Sequence, residues 1–236
     1  MTHRERIPVA NGERVSAVHH GAAGDRWIVF CHGFISDKSG SYEGRCRRAA
    51  REGYDAIRFD FRGCGDSDGL FVEQTLGSKL ADLDAVLEHF DPSQVVLFGS
   101  SFGGKVAFHA AVSDHRVEAI ATRAPVTFNR SFDRYREIVE ENGTCEVAPG
   151  YEIDRRFFEE FGQYSFDDVV EKLDVPVAIF HGADDDAVPI EDSLAAVERL
   201  DTDVLCQKYS DEGHRFSRQA EDRMREQLFG WLDTFH

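Results

Sequence analysis

A serine and a histidine on short connections are the residues in this sequence best placed to do covalent chemistry. Gly99-Ser100-Ser101-Phe102-Gly103 has the form G-x-S-x-G. It follows the unbroken apolar run 95–98 and precedes a segment with Val106, Ala107, Ala110 and Ala111 at helical spacing. A strand–turn–helix this tight puts its central serine in a strained backbone conformation and needs small neighbours, because the two backbones nearly touch. Ser101 Oγ is then held above the sheet edge at a helix N-terminus, where the local field favours a developing negative charge.

A serine hydroxyl is a poor nucleophile at neutral pH, so it needs a base, and the base needs an orienting acid. On such a scaffold the chain order is serine, acid, histidine. Asp184, Asp185 and Asp186 follow the strand-like run 175–180, and spacing alone does not rank them. Of the ten histidines only His214 and His236 come later. His236 is the last residue, whereas His214 lies between a strand-like run at 203–207 and a closing amphipathic segment at 218–235, so His214 is the candidate general base. The tetrahedral intermediate needs two N–H donors. Phe102, after the nucleophile, offers one, and Phe34 in His32-Gly33-Phe34, after the run 27–31, offers the other. His32 itself is expected to brace that loop.

The elements that must carry these residues alternate between strand and helix, which predicts a largely parallel sheet with helices on both faces. Runs at 7–9 and 14–19 flank Asn11-Gly12 as an N-terminal antiparallel hairpin. Helical patterns occupy 42–51, stopped by Gly53, and 76–90, ended by Asp91-Pro92. Further strands are read at 56–59 and 117–121, and a helix at 194–200. Residues 125–173 break the alternation and are rich in Phe and Tyr. They are read as a small insertion of short helices, a lid, within one domain spanning 1–236, and Phe128, Phe132, Tyr135 and Phe158 are its candidate substrate-binding residues.

Composition narrows the function. The chain has 236 residues and a formal net charge of −17, which repels phosphate backbones and anionic lipids and argues against nucleic acid or a membrane surface as partner. Only five of its 27 basic residues are lysine, a pattern suited to a high-salt cytoplasm. The five cysteines have no metal or disulfide spacing. No run approaches the length of a membrane-spanning helix, and residues 1–10 lack a signal-peptide apolar run, so the expected location is the cytoplasm. His181 with three consecutive aspartates is not expected to hold a metal, since neighbouring carboxylates do not converge on one ion, and no glycine-rich nucleotide motif is present. No cofactor is expected, and nothing in the sequence sets the oligomeric state.

Taken together, HGF at 32–34, RFDFRGCGDSDG at 58–69, GSSFGG at 99–104, HGADDDAVP at 181–189 and GH at 213–214 resemble the α/β-hydrolase superfamily along nearly the whole chain. The resemblance implies a mostly parallel, doubly wound α/β sheet of seven or eight strands. In relatives with an HGxxDxxVP segment the acid is the fifth residue, here Asp185. Similarity to small esterases and thioesterases, and to the serine aminopeptidase and monoglyceride-lipase-like group, implies hydrolysis of a small-molecule carboxylic ester or thioester. The alternatives are an aminopeptidase-type amide hydrolase and a non-catalytic ligand-binding relative. Those relatives usually have His where Cys64 stands, and often where Ser100 stands, departures that bear on substrate class. Asp60, Arg62 and Asp66 are expected to brace their loop.

Overall fold

The computed structural model describes residues 2–235. Its eight-stranded sheet has the order β1-β2-β4-β3-β5-β6-β9-β10. The strands are β1 (Thr2–Pro8), β2 (Arg14–His20), β3 (Arg26–Cys31), β4 (Tyr54–Phe59), β5 (Val95–Ser100), β6 (Val117–Arg123), β9 (Val177–Gly182) and β10 (Val204–Tyr209). β1 and β2 are antiparallel to each other, β2 is antiparallel to β4, and the remaining pairs are parallel. The hairpin has the expected partners and a longer connection. Asn11 and Gly12 adopt the positive φ their types favour, within a helical turn at Ala10–Gly12 that adds residues to the two-residue loop the Asn-Gly pair suggested.

β3 is flanked by β4 on one side and β5 on the other, so the chain reverses its winding there. Connections leaving adjacent strands toward opposite sides open a crevice at their carboxyl ends. Alternation along β5 distributes the core. Val95 and Leu97 face α2 (Leu76–Phe90) and α3 (Phe102–Ala111), while Val96 and Phe98 face α1 (Ser41–Arg51) and α8 (Arg218–Leu232). Continuous burial of β5 on both faces is what its unbroken apolar run requires. α2 begins at a capping box made by Thr75 and Ser78 and ends where Asp91 turns left-handed before Pro92.

Residues 125–173 contain a short helical turn (Asn129–Phe132), α4 (Asp133–Asn142), a separate two-stranded hairpin of β7 (Thr144–Ala148) and β8 (Tyr151–Asp154), and two short helices, α5 (Arg155–Phe161) and α6 (Phe166–Lys172). The hairpin was not expected from sequence. The last helix before β10, α7 (Ile190–Arg199), starts four residues earlier than the apolar pattern suggested, because Glu191 and Asp192 form a polar, acid-rich first turn. The segment packs onto α3 through stacked rings: Phe102, Phe132, Phe157 and Phe161 lie within 6 Å of one another, centroid to centroid. Buried Lys105 of α3 donates to Tyr164 O at 3.0 Å, tying the helix to the same segment.

The tightest point of the fold is the β5–α3 turn. Ser101 sits at φ 53°, ψ −120°, a conformation that side-chain-bearing residues rarely adopt. A Cβ at position 103 would lie 2.2 Å from Cys31 O, so only glycine lets α3 pass this close to β3. Replacing Ser101 by glycine releases the strain at that residue. Ser101→Gly is expected to raise folding stability by about 1 kcal/mol while abolishing any chemistry of the hydroxyl. Urea unfolding of the two proteins checks this, and a lower midpoint for the glycine variant contradicts it.

Candidate active site

Three main-chain hydrogen bonds hold Ser101 in its strained geometry. Its N–H donates to Arg123 O at 2.9 Å, and its carbonyl accepts from Gly104 N–H at 2.9 Å and Val126 N–H at 3.0 Å. β5, β6 and the start of the 125–173 segment are therefore joined at this residue. Ser101 opens into a cleft of about 620 Å³ whose walls include Gly33, Phe34, Phe132, Tyr135, Val188 and His214.

The loop after β3 lies directly against the serine. A Cβ at position 33 would sit 3.4 Å from Ser101 Cβ and 4.0 Å from Oγ. His32 fixes that loop. Its Nε2 accepts from Phe61 N–H at 3.0 Å, so the proton is on Nδ1, which donates to Gly33 O at 2.7 Å. Burial and the charge of Lys79 push the His32 pKa down to about 3, against an opposing pull from the Gly33 hydrogen bond, so the ring stays neutral and structural at physiological pH. The next residue, Phe34, places its ring among Phe71, Phe102, Phe132 and Phe157 at centroid distances of 5.0–5.3 Å. Phe102 is the first residue of α3, so its N–H has no acceptor within the helix. The loop after β4 is braced separately. Asp60 accepts from Lys38 N–H, Lys38 Nζ and Asp66 N–H, while Arg62 pairs with Asp82.

Asp185 and His214 arrive from neighbouring strands. β9 and β10 pair in parallel up to Gly182 and Tyr209, and beyond them the loops remain stitched by Ala183 N–H to Tyr209 O (2.8 Å) and Asp184 N–H to Glu212 O (3.0 Å). A Cβ at position 182 would lie 2.1 Å from Glu212 O, so this contact requires glycine. His214 Nδ1 then donates to Asp185 Oδ2 at 2.8 Å, leaving Nε2 as its free nitrogen. The fully buried Asp185 carboxylate has three further donors: Ala187 N–H and Val188 N–H on Oδ1, each at 2.9 Å, and His181 Nε2 on Oδ2 at 3.1 Å. His181 Nε2 also faces Val188 O at 2.9 Å, and two acceptors on one nitrogen place the proton there. Burial pushes the Asp185 carboxyl up. Hydrogen bonds from His181, His214 and Val188, with the charge of His214, outweigh that and hold it well below the usual carboxylate range. Of the three consecutive aspartates, Asp185 is the one bonded to His214.

The four aromatic residues expected to bind substrate divide. Phe132 and Tyr135 line the cleft. Phe128 and Phe158, expected there too, are not among the residues that line it. Phe128 turns toward Phe166 and the guanidiniums of Arg130 and Arg199, and Phe158 packs on Phe157 beside Arg136, at a separate depression. The polar wall of the cleft was missed. Arg45, fully buried in α1, donates to Ser100 Oγ at 3.0 Å and pairs with Glu221 of α8, and Arg123 donates through Nη1 to His214 O. Arg45 shares the buried face of α1 with Tyr42, Cys46 and Ala49, so a cation inside an apolar stripe was the available signal. Among the described residues, no cluster of three or more His, Cys, Asp or Glu is arranged to hold a metal ion, and no helix is long and apolar enough to cross a membrane.

A serine on a strand–turn–helix, an Asp–His pair on the loops after the last two strands, and a cleft at the carboxyl edge of a mostly parallel sheet are the arrangement of an α/β-hydrolase. Residues 26–143 match the model for the alpha/beta hydrolase fold, and the chain belongs to that family. It is similar to the palmitoyl-protein thioesterase ABHD10, mitochondrial, of Homo sapiens: 30% identical over 217 residues, covering 82% of this chain and 68% of that protein. Among solved structures it resembles alpha/beta hydrolase domain-containing protein 10 from mouse, with TM-score 0.87 and 21% identity over 99% of this chain and 100% of that one. It also resembles Est1E from Butyrivibrio proteoclasticus bound to ferulic acid, with TM-score 0.84 and 20% identity over 97% of this chain and 98% of that one.

A carboxylate held below its unfolded pKa stabilises the fold above that value, about 3.9, and the contribution fades as pH falls through the lower folded value. Asp185→Asn is therefore expected to lose about 1–3 kcal/mol at pH 7 and progressively less below pH ~4. Urea unfolding at pH 7 and pH 3 measures both. A deficit as large at pH 3 as at pH 7 contradicts the assignment.

Proposed function

We propose that this protein is a serine hydrolase that cleaves a carboxylic ester or thioester of a small acyl substrate through an acyl-enzyme on Ser101. The observation that carries the reading is the 2.8 Å hydrogen bond between His214 Nδ1 and buried Asp185, made at the edge of the cleft that Ser101 lines. His214 Nε2 takes the Ser101 proton as Oγ attacks the carbonyl carbon. The Phe34 and Phe102 N–H groups receive the oxyanion. Collapse of the intermediate expels an alkoxide or thiolate, which His214 protonates. Water, deprotonated by the same nitrogen, then attacks the acyl-enzyme, releases the acid and restores Ser101. Asp185 keeps the proton on Nδ1 and stabilises the imidazolium formed at each step.

Val126, Phe132, Tyr135 and Val147 give one end of the cleft an apolar lining suited to an acyl chain. The thioesterase name of the human relative supports the thioester arm of the reading. The acidic, lysine-poor composition supports work in a high-salt cytoplasm on small molecules.

A panel of p-nitrophenyl esters, acyl thioesters and aminoacyl anilides tests the substrate class. Esters and thioesters are expected to turn over faster than anilides, and the reverse order favours the aminopeptidase alternative. Fluorophosphonate is expected to label Ser101, whereas Ser101→Ala should not label and should lose roughly 10³-fold or more in kcat. A labelled alanine variant refutes Ser101 as nucleophile, and an unlabelled wild type favours a ligand-binding protein. Activity is expected to persist at molar salt, where screening relieves the repulsion of a surface with net charge −17. Inactivation there contradicts the high-salt reading.

A further inference from the structure

The cleft beside Ser101 has a second, polar arm. It is lined by Ser39, Gly40, Ser41 and Tyr42 around the N-terminus of α1, and by Arg123 and Glu221. Behind this wall two guanidiniums share one carboxylate. Arg45 holds Glu221 through Nε at 3.2 Å and through Nη2, and Arg123 Nε stands 3.9 Å from the same Glu221. The Asp185 carboxylate also attracts Arg123, so two guanidiniums face two carboxylates, yet Arg123 donates a hydrogen bond to neither. Arg123 is the group left short. Its side chain is 11% exposed, its Nη1 is occupied by His214 O, and its Nε is buried without a hydrogen-bond acceptor. Leaving a buried guanidinium donor unpaired costs free energy, and the part of Arg123 that reaches the cleft wall is what an acceptor there meets.

The other groups facing the arm agree with an anion. Gly40, the N-cap of α1, supplies no side chain to the first turn; Ser39 O takes Tyr42 N–H, and the other N–H groups of that positive end lie at the cleft wall. Arg215, exposed on the His214 loop, lines the same space. The carboxylate that opposes them, Asp37, is engaged locally by Ser39 N–H at 2.7 Å. In a chain whose net charge is −17, a guanidinium short of acceptors in the wall of the candidate nucleophile's cleft stands against the general sign of the protein field.

We propose that this arm binds an oxyanion, a carboxylate or phosphate carried on the leaving group of the substrate, with Arg123 as its anchor. The inference rests on the ester or thioester hydrolase reading and deepens it. The apolar arm takes the acyl chain, and the leaving alcohol or thiol extends past His214 toward Arg123. Because the guanidinium also holds the His214 carbonyl, an anion seated there steadies the loop that carries the base. Arg123 is in this sense both a binding and a positioning residue.

The test compares S-butanoyl thioesters of three thiols of similar size, 3-mercaptopropionate, 2-mercaptoethyl phosphate and uncharged 3-mercapto-1-propanol, with p-nitrophenyl butyrate as a neutral control. Thiol release is followed at low ionic strength. At least one anionic thioester is expected to exceed the neutral one by about tenfold or more in kcat/KM, mostly through KM, and the margin should shrink as salt is raised. A preference for one anionic thioester over the other tells a carboxylate site from a phosphate site. Arg123→Gln is expected to slow all three while erasing the preference, and Arg123→Lys to restore part of it. A purely structural Arg123 would slow all three equally and leave the ratio intact. In parallel, propionate or inorganic phosphate is expected to raise the Tm of the wild type and not of Arg123→Gln, a readout independent of turnover. Hydrolysis of the neutral substrates with no anionic preference overturns the inference while leaving the hydrolase reading standing. No hydrolysis of any substrate overturns the hydrolase reading, and the ligand-dependent Tm then decides the anion site alone: absence of a shift with both anions sinks it.

Discussion

One strained residue organises this molecule. Ser101 cannot rest at φ 53° on its own account, and it is held there because its N–H and carbonyl are bonded to β6, to α3 and to the entry of the 125–173 segment at once. Conformations of this kind survive only where the surroundings over-determine them. Here the surroundings are the central strand, its parallel neighbour and a helix that approaches within contact of β3 through glycine. The sheet core, buried on both faces, supplies the rigidity that keeps a high-energy turn from relaxing.

The electrostatic plan follows from the same topology. Parallel strands end together at one edge, so their following loops deliver charged groups to a common place. At β9 and β10 this produces a carboxylate with four donors and no solvent, whose charge is stabilised by geometry despite burial. At β6 it produces the opposite situation, a buried guanidinium with fewer acceptors than it has donors. One group has all its hydrogen-bond partners, and the other keeps a donor without one. Both lie on either side of the same histidine loop.

The sequence was most legible where local chemistry and long-range packing agree. α2 is read to its ends because Asp91-Pro92 and an amphipathic pattern mark them, and the β5 run is unambiguous because a strand buried on both faces carries no polar residues until its turn. Ser101, Asp185 and His214 were singled out from turn context, chain order and one resembling motif; Ser101 and His214 line one cleft, and Asp185 is hydrogen-bonded to His214. The hairpin of β7 and β8 was not legible, since five- and four-residue strands among aromatics carry no clear period. That Phe128 and Phe158 sit outside the cleft lining was not legible, because aromaticity says that a ring will be buried and not against what. The Arg45–Glu221 pair joins residues 176 positions apart, and nothing local in a helix announces such a partner.

The packing of Phe34 has a thermodynamic consequence. Its ring is clasped by residues from the turn after β4, from α3 and from the 125–173 segment. Rings interlocked in this way do not come apart singly, so the backbone of 32–34 and the aromatic face of that segment constitute one cooperative opening unit. Amides on both should share a single protection level in native-state hydrogen exchange, and any fluctuation that parts the aromatic lining of the cleft also dissolves the order of the loop beside the serine.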